Sequence, residues 1–433
     1  MKIFNKIVAV KLKVLAKLIL KVQHPFIIAI TGSLGKTSTK AAIETIFKGN
    51  FNFFSSGRSY NTEFGLPLTI MQAEMPENLQ NVLGWIKVFF KCAKKIFSRN
   101  YPEILILEMG ADAPGDIDYL LSIAKPDITV ITGIAPVHLE GFKDEKVIFE
   151  EKSKTVVNVP KARAILNIDF KDLKRLAEII PNEKITYGIN SNANVTVFNL
   201  KNSLQGIAFK LIYNGHEYPV RSKLFGEHSI YSLLAAFAVG VAMEIDPEEI
   251  VKKLEGISAF PGRMDLLKGV NGSYIIDDSY NSSPYAAEKA LDSLKTYKGI
   301  NRIIVVLGSM NELGAASEEA HKELGRQVAK TADILITVGE EAEKWLAPEA
   351  IKNGLNKKFV HSFKEPFSAG EFLKQMVKKD DIILIKGSQN NVYTEEVTKQ
   401  VIYPGLYPKD ILVRQSADWL LKKKALMEKF NVK

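Results

Sequence analysis

The sequence predicts an α/β protein of two units, each on a mostly parallel sheet, with one short basic helix in front. Three observations carry this. Short apolar runs alternate with longer mixed segments, first from residue 26 and again beyond residue 262. Phe260-Pro261-Gly262 breaks the chain between the two series. The first 43 residues hold eight lysines and no acid before Glu44. Strand–helix alternation is the pattern of a parallel sheet covered by helices, and 433 residues are enough for two or three domains.

Composition narrows the class. With 46% hydrophobic and 25% charged residues, disordered and fibrous chains are excluded. A single cysteine, Cys92, excludes an intramolecular disulfide framework and a cysteine-built zinc site, and it fits a reducing cytosol. The net charge of +9 is modest for this length and serves solubility; it gives no ground for a nucleic-acid partner.

Residues 1–25 read as a basic amphipathic helix ended by His24-Pro25. Its lysines interrupt every apolar run, so it is too broken to span a bilayer. No small-residue cleavage site follows, which argues against a signal peptide. A second segment of this kind runs from Trp85 to Arg99, with five basic residues punctuating Trp85, Ile86, Phe89, Phe90, Ile96 and Phe97. Two readings stay open for both segments: an apolar face packed on the body of the protein, or contact with an anionic membrane surface.

Buried strands are expected at Phe26-Ile30, Ile104-Leu107, Ile128-Thr132 and Ala164-Ile168, with helices over Thr37-Phe47 and Asp116-Ala124. Ile185 to Leu224 alternates like an antiparallel insert or sheet flank and contains the turn signal Asn214-Gly215. A helix-rich stretch covers Ser229 to Leu254. Strands resume at Tyr274-Ile276, Ile303-Leu307, Ile334-Val338, Lys358-Val360 and Ile382-Ile385. Residues 26–258 are therefore taken as a central domain and residues 259–433 as a C-terminal one, with Gln415-Lys433 a peripheral basic tail.

Three strand ends carry chemistry. Ile27-Ala-Ile-Thr31-Gly32-Ser33-Leu34-Gly35-Lys36-Thr37-Ser38 runs from a strand through a glycine-bearing turn into a helix, the context of a phosphate loop. Gly32 and Gly35 let backbone N–H groups approach phosphates, and the helix N-terminus favours the anion. Lys36 suits the β- and γ-phosphates, and the Thr37 hydroxyl suits Mg²⁺. Glu108 ends the next buried strand. His138 follows a third, in His138-Leu-Glu-Gly-Phe142. Alone, Glu108 reads as a helix-capping acid and His138 as a loop histidine. Their shared position after a phosphate loop makes them candidate metal residues. In the second half, Asp277-Asp278-Ser279-Tyr280-Asn281 lies just beyond a strand. Asp278 suits ribose hydroxyls and Asn281 or Tyr280 the base; as a plain structural feature, Asp278 or Ser279 caps a helix. Arg263 is either a phosphate contact from the other domain or a surface residue.

In this order the motifs resemble the Mur ligase family, the ATP-dependent amide ligases of peptidoglycan synthesis. The carrying segments are TGSLGKTSTK (31–40), YNTEFGLPLTI (60–70), LEMGA (107–111), HLEGF (138–142), PGRMDLL (261–267), DDSYNSSP (277–284), GSMNELG (308–314) and KGS (386–388). The resemblance implies a P-loop ATPase-type central domain and a C-terminal Rossmann-like domain. It implies the joining of D-alanyl-D-alanine to UDP-muramoyl-tripeptide through an acyl phosphate, with ATP and Mg²⁺ as cofactors. It puts Gly32, Ser33, Gly35, Lys36, Thr37, Ser38, Arg263, Asp278 and Asn281 on ATP, and Lys36, His138, Lys152 and Arg263 in the catalytic set. Thr37 and Glu108 would hold one Mg²⁺, and His138 a second metal together with Lys152 as a carbamate. Left unmodified, Lys152 would pair with Glu151 or a phosphate. Asn61, Lys386 and Ser388 would meet the substrate. A cytoplasmic monomer is the expected form, with peripheral contact at the inner face of the membrane left open by the two basic segments.

Three departures go with the resemblance. Only about 25 residues precede the phosphate-loop strand, where the D-alanyl-D-alanine-adding member carries a domain for the UDP end, so the UDP moiety is expected to be held differently. The family's G-x-H-N-x-x-N segment stands here as Gly226-Glu-His228-Ser229-Ile-Tyr-Ser232. Ser309 and Gln389 replace the usual Asp and Arg. Two alternatives follow: a ligase of the same type with another carrier or amine acceptor, and a non-catalytic membrane-surface protein that keeps the nucleotide fold.

Overall fold

The computed structural model describes residues 2–57, 60–76, 81–135, 142 and 144–431. Two sheets organise them. In the first, β1 (Phe26–Thr31), β2 (Phe53–Ser55), β3 (Ile104–Glu108), β4 (Ile128–Ile131), β5 (Arg163–Asn167) and β6 (Lys184–Tyr187) are parallel, in the order β2-β3-β1-β4-β5-β6. β7 (Val195–Ser203), β8 (Gly206–Tyr213) and β9 (His216–Ser222) extend it as an antiparallel meander. Asn214-Gly215, both at positive φ, makes the β8–β9 turn as its sequence demands.

β1, β3 and β4 are apolar apart from Thr31, Glu108 and Thr129, because both faces are covered. On one face, α1 (Lys2–Gln23), α3 (Gly65–Ile70) and α4 (Val82–Ile96) share a core with α5 (Asp116–Leu121), α6 (Glu145–Val157) and α7 (Lys171–Ile179), which takes in Leu105 and Leu107. On the other, α2 (Lys36–Phe47) and α8 (His228–Ala242) pack on Ile104 and Ile106. Alternate residues of β3 thus enter opposite cores, as the pleat requires.

The second sheet has the order β10-β11-β15-β12-β13-β14. Its strands are β10 (Asp265–Lys268), β11 (Tyr274–Asp278), β12 (Ile303–Gly308), β13 (Ile334–Val338), β14 (Val360–Phe363) and β15 (Ile382–Lys386), with only β10 antiparallel. The central position of β15 puts Lys386 beside Asp278.

Several expectations shift. The strand at Lys358-Val360 begins two residues later, because Asn356 accepts from the Lys358 N–H and starts a 3-10 turn over Lys357–Phe359. The helix expected over Asp116-Ala124 ends at Leu121. Ser229 to Leu254 is two helices, because Asp246 caps a new one at Pro247. The C-terminal tail is not peripheral: Lys423, on the helix Ala417–Lys429, is buried against Glu395 at 2.8 Å and Glu396 at 2.7 Å.

Candidate functional site

β1 delivers its chain into the turn Gly32–Gly35, and α2 starts at Lys36. Gly32 has φ +138°, and a Cβ there would lie 2.1 Å from Thr132 Oγ1. Gly35, the residue before the helix, sits at φ +74°, which a side chain would strain. The loop is fastened to the segment after β4: Ser33 donates its N–H to Gly133 O at 2.8 Å and its hydroxyl to Ala135 O at 2.9 Å. The first amides of α2 are thereby aimed at one point, where the helix dipole favours an anion.

Lys36 Nζ donates to Gly32 O at 2.8 Å, folded over its own loop. Burial pushes its ammonium below the ordinary lysine range; Glu108 opposes the shift and Arg263 adds to it. A phosphate chain at this point supplies the counter-charge that favours the cation.

The register that pairs Ile30 with Glu108 puts the Glu108 carboxylate beside the loop. Its Oε2 lies 3.5 Å from Thr37 Oγ1. Its Oε1 stands 3.0 Å from Lys40 Nζ, an ion pair without hydrogen-bond geometry, and both side chains are buried. Lys40 also donates to Ser56 O. A buried carboxylate oxygen with spare acceptor capacity beside a hydroxyl fits a hard divalent cation, which takes oxygen donors. Among the described residues, no three His, Cys, Asp or Glu come together as a ligand cluster. His138 lies outside the described residues. Lys152 on α6 is buried, and its amine is held down to about 7, by burial first and then by Lys36. The Glu151 carboxylate is engaged by the Ile117 N–H at 2.7 Å and by Lys154 at 2.7 Å.

The second unit closes the site. Arg263 brings its guanidinium to 3.5 Å from Thr37 Oγ1 and stacks over the Tyr280 ring at 4.1 Å. Asp278 and Lys386, read separately from the sequence, are one ion pair at 2.6 Å, and Lys386 also donates to Asn281 O at 2.9 Å. Asp278 accepts the Met264 N–H as well, so it ties the strand end to the Arg263 segment. Asn61 lines the same cleft, and its backbone oxygen accepts from Gly110 N–H just beyond Glu108. Ser38 also lines it. Ser388 does not: it is fully buried and its hydroxyl accepts from Asn311 N–H at 2.9 Å.

Ser33, Gly35, Lys36, Thr37, Ser38, Asn61, Glu108, Arg263, Asp278, Asn281 and Lys386 line one cleft of about 1250 Å³ between the two units, whereas Gly32 and Lys152 are not on its wall. Its far wall went unseen in the sequence. Asp169 accepts the Tyr231 hydroxyl at 2.9 Å, and Phe170 lies against the rings of Tyr231 and Tyr285. The signal was present: Asp169 follows β5 as Glu108 ends β3, a carboxylate at the carboxyl edge of a parallel strand. A phosphate-binding loop, a metal-competent carboxylate and an arginine from the opposite unit together can hold a nucleoside triphosphate for phosphoryl transfer.

Comparison with known proteins agrees. The Mur ligase middle domain matches residues 30–240, and a second match, Mur ligase, glutamate ligase domain, covers residues 262–389. The UDP-N-acetylmuramoyl-tripeptide–D-alanyl-D-alanine ligase of Bacillus subtilis is 30% identical over 392 residues, 90% of this chain and 79% of that protein. The Escherichia coli ligase of the same name is 26% identical over 378 residues, 86% of this chain and 76% of that protein. The crystal structure of MurF ligase from Thermotoga maritima in complex with ADP superposes with a TM-score of 0.73 at 25% identity. It covers 90% of this chain and 84% of that one.

Proposed function

Given that the chain belongs to the Mur ligase family, we propose that it is an ATP-dependent carboxylate–amine ligase of peptidoglycan precursor synthesis. It adds D-alanyl-D-alanine to UDP-N-acetylmuramoyl-tripeptide, with ATP and Mg²⁺. The observation that carries this is the meeting of Lys36, Thr37, Glu108 and Arg263 in one cleft, with Arg263 supplied by the opposite unit. The working units are residues 26–258 and 259–433. The form is a cytoplasmic monomer placed at the inner face of the membrane; among the described residues no helix is long and apolar enough to cross one.

The chemistry follows from the side chains. The loop amides and Lys36 hold the ATP phosphates, and Arg263 meets them from across the cleft. The tripeptide carboxylate attacks the γ-phosphorus and ADP leaves. The amine of D-alanyl-D-alanine then attacks the acyl carbon and phosphate departs. Thr37 and Glu108 would hold Mg²⁺, which, when bound, neutralises phosphate charge. His138 and Lys152, as a carbamate, would serve a second metal. The Lys152 amine, kept near neutrality by burial, is suited to carbamate formation. Closure of the two units excludes water, which would hydrolyse an acyl phosphate. Asn61 and Lys386 position substrate, Lys386 through its pair with Asp278; Ser388 acts through the Asn311 loop.

Oxygen transfer tests this. With ¹⁸O in the terminal tripeptide carboxylate, the phosphate released carries one ¹⁸O if the acyl phosphate forms, and none if water attacks ATP directly. A second reading, the same chemistry on another amine, is favoured by Ser309, where the family has Asp: its hydroxyl accepts the Ala342 N–H at 3.2 Å. The product mass separates the two.

A further inference from the structure

α1 and α4 each have two faces. Inward, Val8, Leu12 and Ile19 of α1 and Trp85, Cys92 and Ile96 of α4 enter the core. Outward, each keeps a second apolar line. At 3.6 residues per turn, Leu83, Ile86, Phe90 and Phe97 fall on one stripe of α4 and its cap, with Phe90 68% and Phe97 82% exposed. Ile7, Val14 and Leu18 form the matching stripe of α1. Half of the exposed large apolar side chains among the described residues lie on these two helices and the caps that follow them. A core helix has no need of this second line.

The helices lie side by side with their C-terminal ends together. The Gln23 amide donates to the carbonyls of Lys95, Ile96 and Ser98, and Lys11 Nζ sits 5.9 Å from the Phe89 ring. Exposed lysines border the stripes: Lys87, Lys91 and Lys94 on α4, and Lys6 and Lys17 on α1. Residues 2–23 and 81–99 hold eleven Lys and Arg and no Asp or Glu, more than the net +9 of the whole chain.

We propose that the outer face of the α1–α4 pair is a docking surface for an anionic lipid bilayer, with both helices lying in the plane of the interface. It deepens the membrane-face placement above and stands independently of the ligase chemistry. The charge selects the occupant. A second copy docked through this face would set its exposed lysines against their own copies with no acid on either helix, whereas anionic headgroups answer them. The stripes, flanked by lysines long enough to reach headgroups, have the depth of an interfacial helix rather than a spanning one.

The test is co-sedimentation of the full chain with vesicles of phosphatidylcholine alone or with 30% phosphatidylglycerol, at low and high salt. Binding to the anionic vesicles only, weakened by salt, is expected. Phe90→Asp abolishes it, and the triple change Lys87→Gln, Lys91→Gln, Lys94→Gln weakens it by about fivefold per charge. Because these side chains face solvent, lipid-free turnover and thermal unfolding stay at wild-type values. Equal binding to neutral vesicles, no binding, or undiminished binding by Phe90→Asp overturns the proposal. So does a lipid-free dimer that Phe90→Asp dissociates.

Discussion

Glu108 has two jobs that a single substitution confounds. It is the candidate Mg²⁺ ligand, and it is the counter-ion of Lys40, 3.0 Å away with both side chains buried. At that separation and an effective dielectric of about 20, the gross attraction is about 5 kcal/mol, much of it offset by the cost of burying both charges. Removing one partner leaves the other charge stranded, which costs about 3–5 kcal/mol. Glu108→Ala should therefore lower the melting temperature by on the order of 10 °C as well as abolish turnover. Loss of turnover alone would then say little about the metal. Glu108→Gln combined with Lys40→Met separates the roles. Stability should return to within ~1 kcal/mol of wild type, while ATP turnover stays down by ~10³-fold or more, because several kcal/mol of metal stabilisation are gone. Thermal unfolding and phosphate release on the wild type, Glu108→Gln, Lys40→Met and the double variant complete the cycle. If the double variant regains turnover along with stability, Glu108 is a structural counter-ion and not a ligand.

Lys36→Ala should lose turnover by ~10³-fold with the melting temperature unchanged or higher, since burial already disfavours its cation; a large destabilisation would count against this. Arg263→Ala should lower kcat/KM for ATP by ~10²-fold, and Arg263→Lys should not restore it, because a lysine loses the planar stacking on Tyr280. Asp277 gives a pH dependence. Burial raises its carboxyl to about 7, with Glu395 and Asp278 adding to the shift. The native state then keeps a proton that the unfolded chain releases near pH 4, so wild-type stability falls as pH rises from about 4 to 7. Asp277→Asn should lessen that decline in melting temperature, part of which remains with the paired Asp265, whose carboxyl burial also raises to about 7; an unchanged slope would refute the assignment.

What the sequence made legible follows from how each residue is determined. The Gly32–Gly35 turn is dictated locally, by a buried strand running into positions that only glycine occupies without strain. β3 and β15 announce themselves as four apolar residues in a row before a terminal charge, because both faces are covered. β2 was missed, as a three-residue half-buried edge strand. β14 was misplaced because His361 and Ser362, on an edge, interrupt the apolar run. Lys40 looked like one lysine of eight; only the register of β3 on β1 gives it Glu108. The Asp278–Lys386 pair joins residues 108 apart in sequence through β11–β15 pairing, which no local pattern encodes. The Asp169 wall likewise depends on α8 crossing behind β5 to present Tyr231.

The most direct measurement is phosphate release from ATP–Mg²⁺ with UDP-N-acetylmuramoyl-tripeptide and D-alanyl-D-alanine supplied singly and together, with mass spectrometry of the product. Release that needs both, with a new amide of the summed mass less water, is the predicted result. ATP hydrolysis indifferent to either substrate, or release with no amide formed, would contradict it.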